Sequence, residues 1–245
     1  MKFFIAGATG ATGRHVATLL LQQGHHVVTV ARNPAALQSE VSLYPNLEVT
    51  AGSLLDMAES ELDTLISGCD GAISCLGHNL TLKGLYGAPR LLCREAVERM
   101  VQSIIRTRRE RAEQRPPTRF ILMNTNGNAN RDLDEKLSIG DRLVISIVRL
   151  LLPPHRDNEL AAELLRKDIG QNHPDIHWVT VRPDGLVNQD LVSSYECFPS
   201  PVRGVVFNSG QVSRINVAHF MTRLACEANE WQKWVGQMPV VYNAE

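Results

Sequence analysis

The chain has 245 residues, of which 44% are apolar and 21% charged, and its formal net charge is -1. This composition is ordinary for a globular protein, and the length suits one large α/β domain over residues 1–245. The near-zero charge provides no overall field that would attract nucleic acid or an anionic membrane, so neither is expected as a partner.

The N-terminal segment carries the most informative motif of the chain. The apolar run Lys2–Ala6 predicts a buried strand, three glycines follow at a spacing of three, and an amphipathic helical pattern begins near Arg14. A strand, a glycine turn and a helix N-terminus form a cradle for a pyrophosphate, because backbone N–H groups can approach it and the helix end is partially positive. The residues expected to bind a dinucleotide here are Gly7, Thr9, Gly10, Ala11, Thr12, Gly13 and Arg14.

The rest of the chain alternates between apolar runs and amphipathic stretches. Strands are predicted at His26–Ala31, Leu47–Ala51, 71–75, 119–123 and 177–182, and helices at about 57–66, 89–111 and 157–168. Strands that alternate with helices predict an α/β fold with a parallel, doubly wound sheet of the Rossmann type and right-handed crossovers. Residues 188–213 show no periodic pattern, and we expect them to form a small substrate cap beside the carboxyl ends of the strands.

The cysteines and histidines give no sign of disulfides or metal binding. Five cysteines occur, an odd number, without a C-x-x-C pair, so reduced thiols in a cytoplasmic protein are the simplest interpretation. The eight histidines are dispersed and form no recognisable ligand motif, so no metal is expected. No apolar run approaches the length of a membrane span, and the N-terminus does not resemble a signal peptide.

The end of the second expected strand distinguishes the two nicotinamide cofactors. A carboxylate at this place, about 20 residues beyond the glycines, would bind the ribose 2′-hydroxyl of NAD. This chain has Arg32 and Asn33 there instead. A guanidinium can pair bidentately with a 2′-phosphate, and Arg14 could reach the same group. We therefore expect NADP(H); the alternative is that Arg32 is an ordinary surface residue.

The spacing G-x-x-G-x-x-G resembles that of the extended and atypical short-chain dehydrogenase/reductases, and most of all their NmrA-like, NAD(P)H-binding branch. Residues 181–186 (V-R-P-D-G-L) are similar to that family's V-R-P-G-x-L, and residues 213–218 (S-R-I-N-V-A) to its S-R-x-D-V-A. Ser53 stands where the family has an Asp near the adenine, and Pro183 corresponds to its proline near the nicotinamide. The further cofactor contacts that this resemblance implies are Ser53, Leu54, Cys75, Leu76, Gly77 and Pro183.

The Tyr-x-x-x-Lys pair that short-chain reductases use for proton transfer does not occur in this chain. On the resemblance, His155 stands at the tyrosine position and Glu159 at the lysine position, while Asn124 and Thr125 replace the serines after the fifth strand. We expect His155 to donate a proton, with Glu159 one helical turn away favouring the imidazolium, and Thr125 or Asn124 to orient the substrate oxygen. The alternative is that His155 only opens a helix capped by Asp157.

Two functions of different classes remain open. The first is an NADPH-dependent reductase of a small conjugated acceptor, such as a quinone or flavin, because an acceptor of this kind takes hydride with little acid catalysis. The second is a non-catalytic regulator that senses NADP(H) and signals to a protein partner, as some NmrA-like proteins do. A nucleotide-sugar epimerase or dehydratase would need the Tyr/Lys pair. The protein is expected to be a monomer or homodimer.

Overall fold

The computed structural model describes residues 1–37, 41, 43–78, 81, 86–111, 115–133, 135, 140, 144, 152–204 and 208–244. The strands are β1 (Lys2–Ala6), β2 (His26–Ala31), β3 (Leu47–Ala51), β4 (Gly71–Ser74), β5 (Thr118–Met123), β6 (Ile176–Pro183), β7 (Gly185–Val187), β8 (Tyr195–Phe198), β9 (Gln211–Ser213) and β10 (Val240–Asn243). The helices are α1 (Gly13–Gln22), α2 (Glu59–Ile66), α3 (Leu92–Arg111), α4 (Pro153–Glu163), α5 (Arg214–Cys226) and α6 (Ala228–Trp234). None of these helices combines the length and the apolar character needed to cross a membrane.

The main sheet has eight strands in the order β3-β2-β1-β4-β5-β6-β10-β8. Its neighbours are parallel except β10 and β8, which are antiparallel. The chain moves outward from β1 to β3 and then returns to place β4 on the other side of β1. This reversal is the switch point at which doubly wound sheets bind ligands, so the fold positions a site at the carboxyl ends of β1 and β4.

The central strands of the sheet are buried on both faces, as a parallel sheet requires, whereas β3 and β8 at its edges are partly exposed. Successive side chains of β1 alternate between the two faces: Phe3 and Ile5 belong to the core shared with α1 and α5, whereas Phe4 and Ala6 belong to the core shared with α2, α3 and α4. The near-continuous apolar runs in the sequence follow from this double burial. The structure therefore confirms the predicted doubly wound, single-domain Rossmann-like fold.

The C-terminal part departs from the prediction of an all-parallel sheet and an irregular segment 188–213. That segment contributes β8 to the edge of the main sheet in the antiparallel direction, and β9 pairs with β7 in a separate two-stranded sheet. The sequence did not reveal β7 to β10 because strands of three or four residues are too short for a periodic pattern. The predicted helix 157–168 begins earlier, at Pro153, because a proline is well suited to the first helical position, and it continues as π-helix over Leu164–Ile169.

Candidate cofactor cleft and active site

A cleft of about 480 Å³ opens where the loops after β1, β2, β3 and β4 meet. These loops follow the carboxyl ends of neighbouring parallel strands on both sides of the switch point. Seven of the residues predicted to bind the cofactor line the cleft: Gly7, Thr9, Arg32, Ser53, Leu54, Leu76 and Gly77. Residues far apart in the chain thus come together at the place where the fold predicts a ligand.

The glycine loop lies too close to the loop after β4 to accommodate side chains. Gly7 has a φ of +86°, and a Cβ there would lie 2.9 Å from both the carbonyl carbon and the carbonyl oxygen of Cys75. A Cβ at Gly13 would overlap the Gly7 carbonyl oxygen. The Gly10 N–H donates to that same oxygen at 3.0 Å and closes the turn. Glycine is therefore required at Gly7 by backbone angle and space, and at Gly13 by space.

Helix α1 begins directly after this loop without a side-chain cap. Thr12 is its N-cap residue, but the Thr12 hydroxyl makes no hydrogen bond to the first turn. The N–H groups of Arg14 and His15 already donate to the carbonyl oxygens of Gly10 and Thr12, each at 3.0 Å. An anionic pyrophosphate would therefore meet the N–H groups of the loop just before them and the positive end of the helix dipole. Ala11, Thr12, Gly13 and Arg14 lie in this segment, beside the cleft rather than among its lining residues.

The charge around the cleft is mixed. Arg32 is exposed and contributes to the wall, whereas its neighbour Asn33 does not. Burial and then the charges of Arg14 and Arg214 lower the pKa of His15, which indicates a positive region around the start of α1. The wall also contains two carboxylates that the sequence analysis did not single out, at Asp56 and Glu95.

Cys75 directly follows the last residue of β4, contacts the glycine loop and does not line the cleft. Its N–H donates to the Ala6 carbonyl oxygen at 2.9 Å, and burial raises the pKa of its thiol to about 12. The protonated thiol is a poor nucleophile. Cys75 thus acts as a small buried apolar residue whose backbone supports Gly7.

The residues predicted to form the active site lie together at the carboxyl end of β5 and on α4. The Asn124 side-chain amide donates to the Asn158 carbonyl oxygen at 2.8 Å, which ties the loop after β5 to α4. Thr125 Oγ1 accepts the Gly127 N–H at 3.2 Å, and a Cβ at Gly127 would lie 3.1 Å from the His155 ring. His155 Nε2 lies 3.4 Å from Glu159 Oε1, and the two side chains are each 10% exposed.

The His155–Glu159 contact is an ion-pair distance without hydrogen-bond geometry, so His155 Nε2 is a buried polar atom without a hydrogen-bond partner among the described residues. An imidazole nitrogen in this situation can exchange a proton with a ligand. The structure thus places the four predicted active-site residues in one region, with α4 carrying two of them.

Asp184 is a buried polar residue at this end of the sheet that the sequence analysis did not assign to the site. Its carboxylate accepts hydrogen bonds from the N–H groups of Gly185 and Gly210, at 2.8 Å and 3.0 Å, and from the Asn126 side chain at 3.1 Å. Burial raises the pKa of Asp184, although these hydrogen bonds partly oppose the shift. The signal was present in the sequence, because Asp184 takes the place of glycine in the V-R-P-G pattern. Pro183 precedes it, and the Pro183 carbonyl oxygen accepts the Asn126 N–H at 3.0 Å.

Comparison with protein families supports a dinucleotide ligand. The model of the NAD(P)H-binding family matches residues 7–227, which include the glycine loop and five of the six predicted strands. The search of curated proteins found no match.

Several solved structures share the fold at low sequence identity. A short-chain dehydrogenase/reductase from Veillonella parvula in complex with NADP is 15% identical, with a TM-score of 0.69 over 99% of this chain and 94% of that chain. ChuY, an anaerobillin reductase from Escherichia coli O157:H7, is 18% identical, with a TM-score of 0.66 over 100% of this chain and 98% of that chain. The oxidoreductase ylbE from Lactococcus lactis is 16% identical, with a TM-score of 0.66 over 100% and 92% of the two chains.

Proposed function

The chain belongs to the NAD(P)H-binding family, and we propose that it is an NADPH-dependent oxidoreductase that reduces a small conjugated acceptor, such as a quinone or a flavin. The observation that carries this proposal is the cleft at the switch point of the sheet, in which the glycine loop, Arg32 and the loop after β4 meet. The cleft lies at the same end of the sheet as Asn124, Thr125, His155 and Glu159, which we call the His155 group. Binding and proton-transfer elements therefore share one end of the sheet.

The residues present fit a dinucleotide. The contact between Gly7 and Cys75 brings the two loops together without side chains between them, and the glycine loop before α1 together with the positive end of the helix dipole would meet the phosphate oxygens. Arg32 would pair with the 2′-phosphate, and Ser53 and Leu54 would contact the adenine side. NADPH supplies the hydride when bound, and the protein supplies orientation and a site from which water is excluded.

The His155 group would supply the proton that the acceptor takes up together with the hydride. Asn124 fixes the middle of α4 relative to the end of β5 through the Asn158 carbonyl oxygen. Thr125 would orient the acceptor oxygen or nitrogen, and His155, whose Nε2 lies 3.4 Å from Glu159 Oε1, would donate a proton to it. The missing Tyr/Lys pair makes a conventional alcohol dehydrogenase a poor match, because that reaction depends on the lowered pKa of the tyrosine. A conjugated acceptor takes hydride with less acid catalysis from the protein.

The cysteines bear on the compartment in which the protein works. All five cysteines are free, which supports a reducing compartment such as the cytoplasm. A small molecule is the expected second ligand, and the protein is proposed to act as a monomer or homodimer without nucleic acid.

We expect Arg32→Ala to weaken NADPH binding by about 10- to 100-fold, because a hydrogen-bonded pair with a charged group contributes roughly 1.5–3 kcal/mol. Binding of NADH should change little, since NADH has no 2′-phosphate. Calorimetric titration with both cofactors measures this difference. Arg109→Ala, which removes an exposed arginine of α3, is the matched control. Equal losses for NADPH and NADH would contradict the assignment of Arg32.

We expect the wild-type protein to oxidise NADPH steadily with at least one quinone or flavin, and His155→Gln to lower kcat by about 100-fold. The affinity for NADPH should remain unchanged in this variant, because His155 does not line the cleft. His26→Gln, at the exposed start of β2, controls for the loss of a histidine. Tight NADPH binding with no turnover on a broad panel of acceptors would reject the reductase and favour the cofactor-sensing regulator.

A further inference from the structure

Three side chains of metal-ligand type converge next to the cofactor cleft. They are His78, in the loop after β4, Cys93, in the first turn of α3, and Asp157, in α4. One ligand atom from each lies within 4.8 Å of the other two. All three are sequestered from solvent: Asp157 is 0% exposed, Cys93 is 1% exposed, and the His78 side chain is 6% exposed.

Asp157 is the centre of this cluster. Its Oδ2 atom accepts the Cys93 N–H at 2.7 Å and lies 2.7 Å from His78 Nε2, while its Oδ1 atom accepts the Arg94 N–H at 2.9 Å. The alternative in which Asp157 caps α4 is therefore wrong. Asp157 lies within α4 and caps the N-terminus of α3 instead, because α4 already begins at Pro153.

We propose that His78, Cys93 and Asp157 form a binding site for a Zn²⁺-class divalent cation, independent of the reductase activity proposed above. An imidazole nitrogen, a thiolate and a carboxylate oxygen are the ligands that zinc prefers, and three protein ligands with one open position are typical of zinc sites that keep a water. The thiolate and the carboxylate together carry two negative charges, which balance a divalent cation in a buried place. The thiol proton leaves when the metal–sulfur bond forms.

Metal binding would replace the contacts that Asp157 makes to the His78 ring and to the Cys93 thiol, and would keep those to the backbone N–H groups of α3. A carboxylate oxygen has two lone pairs, so Oδ2 can keep the Cys93 N–H and give its second lone pair to the metal. The contacts that are lost are those to the Cys93 thiol and to His78, whose Nε2 would then ligate as the tautomer protonated on Nδ1. The arrangement preserves the cap of α3 in both states.

The geometry requires small side-chain movements. Bond lengths of roughly 2.0–2.3 Å in a tetrahedral site place ligand atoms about 3.3–3.6 Å apart. The distance of 2.7 Å between His78 Nε2 and Asp157 Oδ2 must increase to this range. Any distance from these atoms to Cys93 Sγ that exceeds the range must decrease. Cys93 Sγ makes a weak contact of 3.4 Å to the Leu76 carbonyl oxygen, which it can exchange for the metal.

The site would link the cleft wall to the helix that carries His155. His78 directly follows Gly77, and Cys93 directly follows Leu92; both Gly77 and Leu92 line the cleft. Asp157 lies between His155 and Glu159 on α4. An ion here would cross-link three segments and stabilise the folded protein, since the unfolded chain does not hold these ligands together.

Cobalt binding tests the proposal without any need for activity. The full-length protein, freed of metal by a chelator, is titrated with Co²⁺, which gives a thiolate-to-metal charge-transfer band only when sulfur ligates. We expect one Co²⁺ per chain with this band and displacement of Co²⁺ by Zn²⁺. Cys93→Ser should remove the band, and His78→Gln should lower the affinity for Zn²⁺ by more than ~100-fold, because even residues behind the ligands affect it by 10- to 100-fold.

Two control variants test whether the loss of Co²⁺ binding is specific to the residues of the cluster. Cys226→Ser removes a half-buried cysteine outside the cluster, and His26→Gln removes an exposed histidine; both should bind Co²⁺ like the wild type. Asp157→Asn is set aside because Asp157 also caps α3. The proposal is overturned if the wild type shows no thiolate band, or if the band persists in Cys93→Ser. Circular dichroism of each variant verifies that it is folded before titration.

Discussion

Gly7→Ala should reduce the affinity for NADPH by more than 100-fold. The added Cβ would lie 2.9 Å from the Cys75 carbonyl group, and the φ of +86° disfavours any side chain. The loops after β1 and β4 would have to separate, which deforms the cleft. We also expect a loss of about 1–3 kcal/mol in the free energy of unfolding, from strain and overpacking.

The control for Gly7→Ala is Gly24→Ala. Gly24 has a similar φ of +78°, but a Cβ there would have no atom within 4 Å. This variant should lose only about 1–2 kcal/mol of stability, the cost of a left-handed conformation, and should bind NADPH like the wild type. Fluorescence titration with NADPH and urea unfolding of both variants provide the comparison. Equal NADPH affinities for the two variants would contradict the role assigned to the close contact between the loops.

Arg182→Met should destabilise the protein by about 3–5 kcal/mol, because it leaves a buried carboxylate without its partner. The Arg182 side chain is 0% exposed and pairs with Glu135 through two hydrogen bonds of 2.7 Å and 2.9 Å, and the Glu135 side chain is 2% exposed. The guanidinium also donates to the carbonyl oxygens of Asn128, Pro199 and Met238. It thus joins β6 to the loop after β5, to the segment after β8 and to the segment before β10.

The contrast with a surface pair makes this prediction specific. Arg94 and Glu98 form an i,i+4 ion pair on α3 with side chains 33% and 44% exposed. Arg94→Met should change the free energy of unfolding by less than about 1 kcal/mol. Urea unfolding monitored by circular dichroism measures both variants. A loss below 1 kcal/mol for Arg182→Met would show that the buried pair does not hold these segments together.

The sequence predicted the N-terminal half of the fold well for a physical reason. Strands β1, β2 and β4 are largely buried and give apolar runs, while α1 and α3 are long enough to show a helical period. The glycine loop was recognisable because close approach of the loops demands glycine at Gly7 and Gly13. Short strands such as β7 and β9, with three residues each, are stabilised by tertiary pairing rather than by local pattern, so the sequence could not reveal them.

The candidate site was predictable only in part. Arg32, Ser53 and Leu76 could be assigned to the cleft because each follows an expected strand. The cluster of His78, Cys93 and Asp157 could not be found, because its members are separated by 15 and 64 positions and meet only when α3 and α4 pack together. The roles of Thr125 and His155 stay predictions until turnover is measured.

The most direct test of the account is calorimetric titration of the wild-type protein with NADPH and, separately, with NADH. We expect one NADPH site per chain and an affinity for NADPH at least about 10-fold above that for NADH, the contribution of one charged pair to the 2′-phosphate. Absence of binding by either cofactor would contradict the assignment of the cleft, and equal affinities for the two would contradict the preference for NADPH.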